Sequence, residues 1–418
     1  MAQLAKFHEK AIAIYGCAQV AEGVSVIQAS PAGTISSAAA VVTGVGTSFL
    51  TTIPVGAYLY TSADLIIGRV LTVTSATSLT LEATPVAASL VQGSIMAASG
   101  PVSAISFKVG LGPKNAMAVL NLNYSTELTS EAFQYVGDEL NRDEVTSITD
   151  KFAKMDFEAF LPVKGTTSAT PIVSEIPYCD WFRSCGMAVT LAAGQYTISN
   201  GVASNAYLTI EVRRSSPDIT TQKTFTISNA RGQFDLDINV GTKPKMKFNY
   251  QGNLDGVSQK LYMVADFQAQ KTTISDAVKS TTINLAELDL YSGSTEPAVA
   301  GTTNVCFNKL TSPNVTGFEY NRYLTGCLDG WSKGATPTDI TLTVLEDSAL
   351  ATYNPDNNIE ALHKLTLRYA DSADTVGKQI EITYHKLQLA KVTNSKVANY
   401  TGQDLGFRNV GYTDIKFY

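Results

Sequence analysis

The segment Phe234–Tyr250, with the sequence FDLDINVGTKPKMKFNY, alternates apolar and polar residues on both sides of a turn. Its apolar side chains are Phe234, Leu236, Ile238, Val240, Met246, Phe248 and Tyr250. Such alternation is typical of a strand that buries one face and exposes the other. Gly241 and Pro244 separate the two alternating stretches. The segment therefore predicts a β-hairpin in which these apolar side chains are buried.

The polar face of this hairpin carries opposite charges on its two strands. Asp235 and Asp237 belong to the first strand, and Lys245 and Lys247 belong to the second. If Asn239 pairs with Lys245, Asp237 faces Lys247. Cross-strand pairs of opposite charge contribute roughly 0.2–1 kcal/mol each. The sequence thus predicts a polar face that is close to neutral.

Alternation of the same kind recurs along most of the chain. Asp156 and Glu158 alternate with apolar residues in Met155–Leu161, which predicts a strand with an acidic outer face. In Gln379–Leu389 the alternation slips by one residue, which predicts a β-bulge near His385–Lys386. The other predicted strands are Leu208–Val212, Ile283–Leu290, Ile340–Val344, Leu365–Tyr369 and Asp414–Tyr418.

Helical signals are few. Ala2–Tyr15 spaces its apolar residues as a short amphipathic helix does. Pro177–Gly186 begins with proline and ends with glycine, the expected asymmetry of a short helix. Asp347–Leu362 holds a third helical signal, which Pro355 interrupts. The chain is therefore predicted to be mainly β.

The composition limits which classes of protein fit. Apolar residues make up 44% of the chain and charged residues only 16%, against roughly 25% charged residues in ordinary domains. So few charges are typical of a subunit whose surface is covered by partners. The net charge is −6 and there is no basic tract, whereas gripping DNA requires clustered Lys and Arg. This composition therefore disfavours a protein that grips duplex DNA, while a protein that repels DNA fits it.

Cysteine usage and hydropathy indicate a soluble protein. The five cysteines form no CxxC and are widely spaced, at Cys17, Cys179, Cys185, Cys306 and Cys327. This pattern favours free thiols in a reducing cytosol over a disulfide framework or a zinc site. The N-terminus lacks the apolar core of a signal peptide, and no apolar run reaches the roughly 18–20 residues of a membrane span. We therefore expect a soluble chain.

Composition also divides the chain into parts. Residues 29–98 are rich in Thr, Ser, Ala, Val and Gly, and their only charged side chains are Asp64, Arg69 and Glu82. Short strands with turn signals are predicted at Ala40–Thr43, Tyr58–Tyr60, Leu65–Val73 and Ser78–Leu81. We expect residues 1–28 to form an N-terminal helix and arm, 29–98 an inserted small β-domain, 99–270 a first large domain and 271–418 a second.

No residue pattern indicates an enzyme. His8, His363 and His385 are isolated in sequence, and phosphate-binding and serine-hydrolase motifs do not occur. We therefore expect no catalytic residue, cofactor or metal. The densest charge cluster comprises Asp138, Glu139, Arg142, Asp143 and Glu144. It lacks the spacing and the glycine of an EF-hand, which favours a solvated loop. Calcium binding and contact with a neighbouring subunit are the alternatives.

The order of these segments resembles the tail tube proteins of long-tailed bacteriophages, the siphophages, in their larger form. The most specific stretch is Phe225–Gly256, which is similar to the family's hairpin of an acidic strand, a turn and a Lys/Phe strand. The other similar segments are Leu4–Gly16, Asn115–Tyr124, Asp138–Thr146, Lys151–Leu161, Pro177–Gly186, Asn321–Leu345 and Lys364–Ala390. The inserted residues 29–98 depart from the family's simplest members.

This resemblance implies a fold and an assembly. Tandem tail-tube β-sandwich domains, each with a short helix and a long loop, would join their sheets edge to edge in a closed inner β-barrel. Trimeric rings with pseudo-sixfold symmetry would stack into a tube in the virion tail, assembled in the host cytoplasm. The implied partners are further copies of this chain, the tape measure protein and tail terminator or baseplate proteins. DNA would pass through transiently, and no membrane would be involved.

The resemblance also gives roles to particular residues. The candidate lumen-facing residues are Asp156, Glu158, Asp235, Asp237, Lys245 and Lys247. A neutral or acidic wall would let DNA slide, because it avoids attraction to phosphate. The cluster Asp138–Glu144 is the candidate inter-subunit loop. A plain solvated strand face is the alternative for each of these strands.

Other classes of protein remain open. A phage baseplate, distal tail or head decoration protein would keep the same setting but form one finite assembly instead of long hollow tubes. The Thr/Ser/Gly-rich strands also suggest a secreted β-rich adhesin or carbohydrate-binding module. Such a module would need a secretion signal, and the sequence shows none.

Overall fold

A computed structural model of the chain describes residues 12–62, 66–82, 102–117, 119–134, 144–161, 178–192, 194–215, 221–240, 242–261, 282–297, 305–316, 318–321, 330–333, 338–347, 350, 354–370 and 379–418. The described chain is mainly β, as the sequence predicts, with large antiparallel sheets and a sheet curled into a half-barrel.

The strands in chain order are β1 (Ile12–Ala18), β2 (Thr34–Ala38), β3 (Val41–Val45), β4 (Tyr58–Thr61), β5 (Ile66–Ser75), β6 (Ser78–Leu81), β7 (Phe107–Gly110), β8 (Ala116–Met117), β9 (Leu120–Gln134), β10 (Glu144–Phe160), β11 (Met187–Ala192), β12 (Gln195–Ala203), β13 (Leu208–Ser215), β14 (Thr221–Asn239), β15 (Lys245–Leu261), β16 (Thr282–Leu290), β17 (Phe307–Ser312), β18 (Phe318–Asn321), β19 (Gly330–Lys333), β20 (Thr338–Leu345), β21 (Leu362–Ala370), β22 (Gln379–Val397), β23 (Tyr400–Asn409) and β24 (Thr413–Phe417). The described α-helices are α1 (Phe49–Thr52) and α2 (Cys179–Ser184), and 3₁₀ turns lie at Pro113–Asn115 and Pro355–Asn358.

The predicted hairpin is confirmed as β14 and β15, but the predicted register was wrong by two residues. Asp237 pairs with Lys245, and Asp235 pairs with Lys247. Pairing with β15 ends at Asp237, so the connection to Lys245 is two residues longer than predicted, because alternation does not mark where hairpin pairing ends. On its opposite edge the end of β14 pairs with β17, where Asn239 meets Lys309. Val240 follows directly after β14 with 54% of its surface exposed, so its predicted burial is also wrong.

Eight strands of the 16-stranded sheet form an uninterrupted antiparallel run, here called the eight-strand run. Its order is β9, β10, β15, β14, β17, β20, β23 and β22. One face of the run is apolar and fully buried at Phe157, Phe248, Leu310 and Leu342. This face is therefore the main core of the protein.

Two strands, β14 and β22, are each 19 residues long and change partners along one edge. On one edge β14 pairs first with β13 and then with β17. Likewise, β22 pairs first with β24 and then with β23. In β22 the change of partner lies at the predicted bulge. The bulge is confirmed, because two residues of β22, His385 and Lys386, lie opposite the single residue Lys364 of β21. A bulge bends and twists a strand, which lets one strand serve two neighbours.

The short helix α2 packs against the main core. It confirms the helix predicted at Pro177–Gly186. The ring of Trp181 meets Phe157 edge to face with centroids 5.4 Å apart. The Tyr250 hydroxyl donates to the Trp181 carbonyl at 2.7 Å. Gly16 of β1 lies so close to Trp181 that an added Cβ would come within 2.5 Å of its ring. The aromatic helix therefore holds β1 and β15 together.

A six-stranded sheet, ordered β2, β3, β6, β5, β4 and β7, forms a second unit with its own core. We call this sheet, residues 34–110, the β-module. Its core is completed by alternate residues of β1, namely Ala13, Tyr15 and Cys17, whereas Ile14 of β1 faces the main core. The helix predicted over Ala2–Tyr15 is wrong for its described part, since Ile12–Tyr15 lies in β1. Because β1 is buried on both faces, it lacks the alternation of apolar and polar residues that would distinguish a strand from a helix.

A buried ion pair lies where β13 meets the β-module. Arg213 donates to Glu211 at 2.7 Å and to the carbonyl of Leu111 at 2.8 Å. The guanidinium of Arg213 also stacks on Tyr15 at 4.0 Å from the ring centroid. Arg213 therefore links β13 to the segment after β7 by a hydrogen bond and to β1 by ring stacking, in addition to the apolar packing of the second core.

The other sequence predictions have mixed outcomes. The predicted strands around Met155–Leu161, Leu208–Val212, Ile283–Leu290, Ile340–Val344, Leu365–Tyr369 and Asp414–Tyr418 are confirmed. The third helical signal contains a 3₁₀ turn at Pro355–Asn358, and β21 already begins at Leu362. The division into domains stays a prediction, although the sheet of the β-module extends to Gly110, beyond the predicted boundary at residue 98.

Candidate functional site

The six candidate lumen-facing residues lie on one face of three neighbouring strands of the eight-strand run. Lys247 of β15 pairs with Asp235 of β14 on one side and with Glu158 of β10 on the other. Lys245 pairs with Asp237, and Asp156 pairs with Asn249. Directly paired residues of antiparallel strands project to the same side of a sheet. The register therefore brings together residues that lie about 80 positions apart in sequence.

Some of the six candidate lumen-facing residues also make contacts that hold the fold together. The Lys245 ammonium lies 3.4 Å from a Glu158 carboxylate oxygen, with both side chains partly exposed. Such an exposed pair contributes little to stability, roughly 0–1 kcal/mol. Asp235 accepts a 2.8 Å hydrogen bond from the backbone N–H of Asn314 and so also holds the turn after β17. Asp235 is thus a structural residue as well as a charged one.

The polar face continues across the whole eight-strand run, and we call it the open polar face. From β17 to β22 it carries Lys309, Thr311, Asp339, Thr341, Thr343, Lys391, Asp404 and Arg408, which are exposed or half-buried. Among the described side chains, its acidic groups include Glu127, Asp156, Glu158, Asp235, Asp237, Asp339 and Asp404. Its basic groups include Lys154, Lys245, Lys247, Lys309, Lys391 and Arg408. Acidic and basic groups therefore nearly balance on the described part of this face.

Each end of the eight-strand run has an edge, or a part of one, that no described strand pairs with. Among the described strands, β9 pairs only with β10. The outer edge of β22 pairs with β21 up to Gln388, and no described strand pairs with that edge at 390–397. Unpaired edges present backbone N–H and C=O groups that template further strand pairing. The run can therefore extend into another chain at both ends.

A polar cluster that sequence reasoning missed surrounds His385 at the bulge of β22. The His385 ring accepts or donates through Nδ1 to Glu296 at 2.8 Å and through Nε2 to Asp414 at 3.0 Å. The ring stacks on Tyr412 with centroids 4.0 Å apart. Lys364 lies 2.8 Å from Glu296. The partners are 29 and 89 positions from His385, so spacing along the chain gave no signal.

The carboxyl groups of this cluster are held ionised. Burial opposes the ionisation of Glu296, but hydrogen bonds from Lys364 and His385 outweigh it and lower the pKa of the carboxyl. Burial likewise opposes the ionisation of Asp414, and its hydrogen bond with His385 contributes to a lowered pKa. The cluster joins β21, β22 and β24 to the chain segment after β16. We interpret it as a structural clamp at the place where β22 changes partners.

The four described cysteines are free thiols. Cys17, Cys179 and Cys185 are free and buried, and burial raises the pKa of each thiol, to about 12 for Cys185. Cys306 is free and exposed. Within the described ranges, no three His, Cys, Asp or Glu side chains adopt a metal-binding arrangement. Nor does this part of the chain contain a helix with the length and hydropathy of a membrane span.

The candidate inter-subunit loop lies largely outside the described residues. Asp138, Glu139, Arg142 and Asp143 belong to the stretch between Gln134 and Glu144 that the structure does not describe. Glu144 is the first residue of β10 and pairs with Gln134 of β9. The role of this loop stays a prediction.

Comparisons with protein families and with curated proteins give no match. No protein-family model matches the chain, and no curated protein has a sequence that matches it. The described residues form a mainly β protein with a nearly neutral sheet face and two sheet edges that are at least partly unpaired among the described strands.

Proposed function

We propose that the chain is a structural, non-enzymatic subunit of a bacteriophage tail tube, which polymerises into rings that stack around a channel for DNA. The observation that carries the proposal is the eight-strand run with its neutral open polar face and its two free edges. One face is filled by the main core, so the open polar face is left for the channel. The resemblance in sequence supports the same function.

Ring closure would pair the free edge of β9 in one copy with the free edge of β22 in the next. The run contains an even number of strands, and every neighbouring pair in it is antiparallel. Its first and last strands therefore run in opposite directions, so β9 meets β22 of the next copy in antiparallel orientation. A closed ring of such copies is antiparallel throughout and leaves no free edge.

The size of the run favours a trimer. Three copies of eight strands give 24 strands. At roughly 4.8 Å between strands and a tilt of about 40°, the barrel has a circumference of about 150 Å and a backbone diameter of about 48 Å. Two copies give a barrel of about 32 Å, the size class of porins with 16–18 strands. The trimer is thus the smallest ring with ample room for a DNA duplex and its hydration.

The charge of the open polar face suits a channel wall. DNA binds through phosphate neutralisation by Lys and Arg, with an affinity that depends steeply on salt. In the open polar face each of Lys245 and Lys247 has a carboxylate on a neighbouring strand. Phosphates of the passing DNA then meet few lysine or arginine side chains that lack a neighbouring carboxylate, so DNA moves through the channel without binding to its wall. The tape measure protein and the tail terminator or baseplate proteins are the further partners proposed for such a tube in the virion.

Assembly of the purified protein tests this proposal. We expect trimeric rings by sedimentation and native mass spectrometry, and hollow tubes by electron microscopy after concentration or nucleation. A baseplate or decoration protein would give one finite assembly, and an adhesin would stay monomeric. A protein that remains a monomer at high concentration contradicts the proposal.

A charge test addresses the channel wall without disturbing Asp235. Asn249→Lys together with Thr341→Lys adds two positive charges per copy to the open polar face. The matched control, Thr43→Lys with Thr72→Lys, adds the same charge to exposed positions of the β-module. We expect virions with the first pair to eject DNA more slowly than the control, most of all at low salt, where screening is weakest. Equal ejection kinetics at every ionic strength would place the open polar face outside the channel.

A further inference from the structure

The clamp around His385 places one imidazole ring between two carboxylates. Nδ1 of His385 lies 2.8 Å from Glu296, and Nε2 lies 3.0 Å from Asp414. An ionised carboxylate accepts hydrogen bonds and donates none, whereas a neutral imidazole has a single N–H. Only the doubly protonated ring therefore donates to both carboxylates at once. A neutral ring turns a nitrogen lone pair towards one of the two carboxylates, and that contact is lost.

The carboxyl and hydroxyl groups of the clamp keep their charge between about pH 5 and 8. Burial opposes the ionisation of Glu296 and Asp414, but their hydrogen bonds outweigh it and lower the pKa of both carboxyls. Burial raises the pKa of the Tyr291 hydroxyl to about 12 and raises the pKa of Tyr412 as well. Histidine is the one residue type whose ordinary titration lies within this range. The described titratable and charged groups around His385 are Tyr291 and Glu296 after β16, Lys364 of β21, Tyr412 before β24, and Asp414 and Lys416 of β24.

The clamp can open at Glu296. The Glu296 side chain is 39% exposed, against 13% for Asp414, which β24 holds within the sheet. Residues 291–297, which carry Glu296, lie outside the strands and are mostly exposed. Lys364 holds the same residues through Glu296 at 2.8 Å and through the carbonyl of Pro297 at 3.3 Å. Loss of the contact between His385 and Glu296 therefore loosens this segment without breaking a strand pair.

We propose that the clamp is a proton-dependent latch, in which protonation of His385 fastens residues 291–297 to the sheet and loss of that proton loosens them. The contact is complete at low pH and is lost as the pH rises. The His385 ring also stacks on Tyr412 with centroids 4.0 Å apart, an arrangement that favours a charged ring through cation–π attraction. The latch lies where β22 changes its partner from β24 to β23, so it acts on the junction between two parts of the sheet. The latch does not depend on tube assembly.

Hydrogen exchange resolved at residues 291–297 tests the latch on the whole protein. One reporter amide is that of Tyr291, which donates to the Leu362 carbonyl at 2.9 Å. The other is that of Thr295, which donates to the Ser292 carbonyl at 3.2 Å. After correction for the intrinsic pH dependence of exchange, we expect these amides to be roughly three- to tenfold better protected at about pH 5.5 than at about pH 8. This is the range expected from one partly exposed charged hydrogen bond.

Two variants and one control isolate the proton on His385. His385→Gln does not titrate, and Glu296→Gln presents an amide that can donate to a neutral ring as well as accept from a charged one. We expect both variants to lose the difference in protection between the two pH values. Glu346→Gln makes the same change at an exposed carboxylate outside the clamp and should keep the wild-type difference.

A second control lies within each protein. Asn357 donates to the Asn354 carbonyl at 3.1 Å in an exposed turn, and its protection should not rise at low pH. A rise at Asn357 equal to that at residues 291–297 reports a global change in stability and overturns the latch. Equal protection of residues 291–297 at both pH values in the wild type, or an unchanged difference in Glu296→Gln, overturns it too. If His385→Gln does not fold, the result for Glu296→Gln decides.

Discussion

Mild acid should destabilise this protein through His363. The ring of His363 is fully buried in β21 and meets Phe407 edge to face at 5.5 Å. Burial lowers the pKa of His363 to about 4, although hydrogen bonds to the carbonyls of Ala361 and Leu387 oppose this shift. The native state therefore holds the imidazole neutral over a pH range in which the unfolded chain binds a proton.

The size and sign of the effect follow from the two pKa values. An unfolded histidine titrates near 6.5, so above about pH 6.5 the two states bind equal numbers of protons at this site. As the pH falls from about 6.5 to 4, the unfolded state gains the proton first and the native state loses stability. The loss is about 2 kcal/mol at pH 5 and approaches about 3 kcal/mol below pH 4.

Urea unfolding monitored by Trp fluorescence at pH 7.5 and pH 5 measures this loss. In His363→Gln the residue cannot titrate, so the decrease in unfolding free energy between the two pH values should shrink by about 2 kcal/mol. An equal decrease in the wild type and in His363→Gln would refute the reasoning.

Two further predictions concern packing. Gly16→Ala should lower the unfolding free energy by about 1–3 kcal/mol, because the new Cβ would lie 2.5 Å from the Trp181 ring. The control Gly406→Ala should lower it less, because its new Cβ would have its nearest contact at 3.4 Å. Equal thermal midpoints for the two variants would contradict this prediction. Replacement of residues 29–98 by a short Gly/Ser linker should give an aggregation-prone protein, because Tyr15 and Cys17 lose the core that covers them. The substitutions Tyr15→Ser and Cys17→Ser in that deletion should restore solubility, and a deletion protein that is already soluble and equally stable would show that β1 does not need the β-module.

The sequence alone indicated many of the strands of this protein. Alternation along Phe234–Tyr250 and Met155–Leu161 reports which side chains face the core, because the side-chain period of a strand is fixed by backbone geometry. The bulge at His385–Lys386 could also be predicted from the sequence, because an extra residue shifts the alternation of side chains locally. Alternation and its local shifts are properties of short stretches of sequence. The six candidate lumen-facing residues could therefore be assigned to a polar strand face from the sequence.

Tertiary structure decided what local patterns do not encode. Asp237 rather than Asn239 pairs with Lys245, because alternation marks the two faces of a strand but not the residue at which hairpin pairing ends. Ile12–Tyr15 forms a strand rather than a helix, because β1 lies between two cores and is apolar on both faces. The clamp around His385 joins residues up to 89 positions apart. Partner choice among strands depends on long-range contacts whose free energy is shared by the whole sheet, so only the folded chain fixes the register and the two free edges.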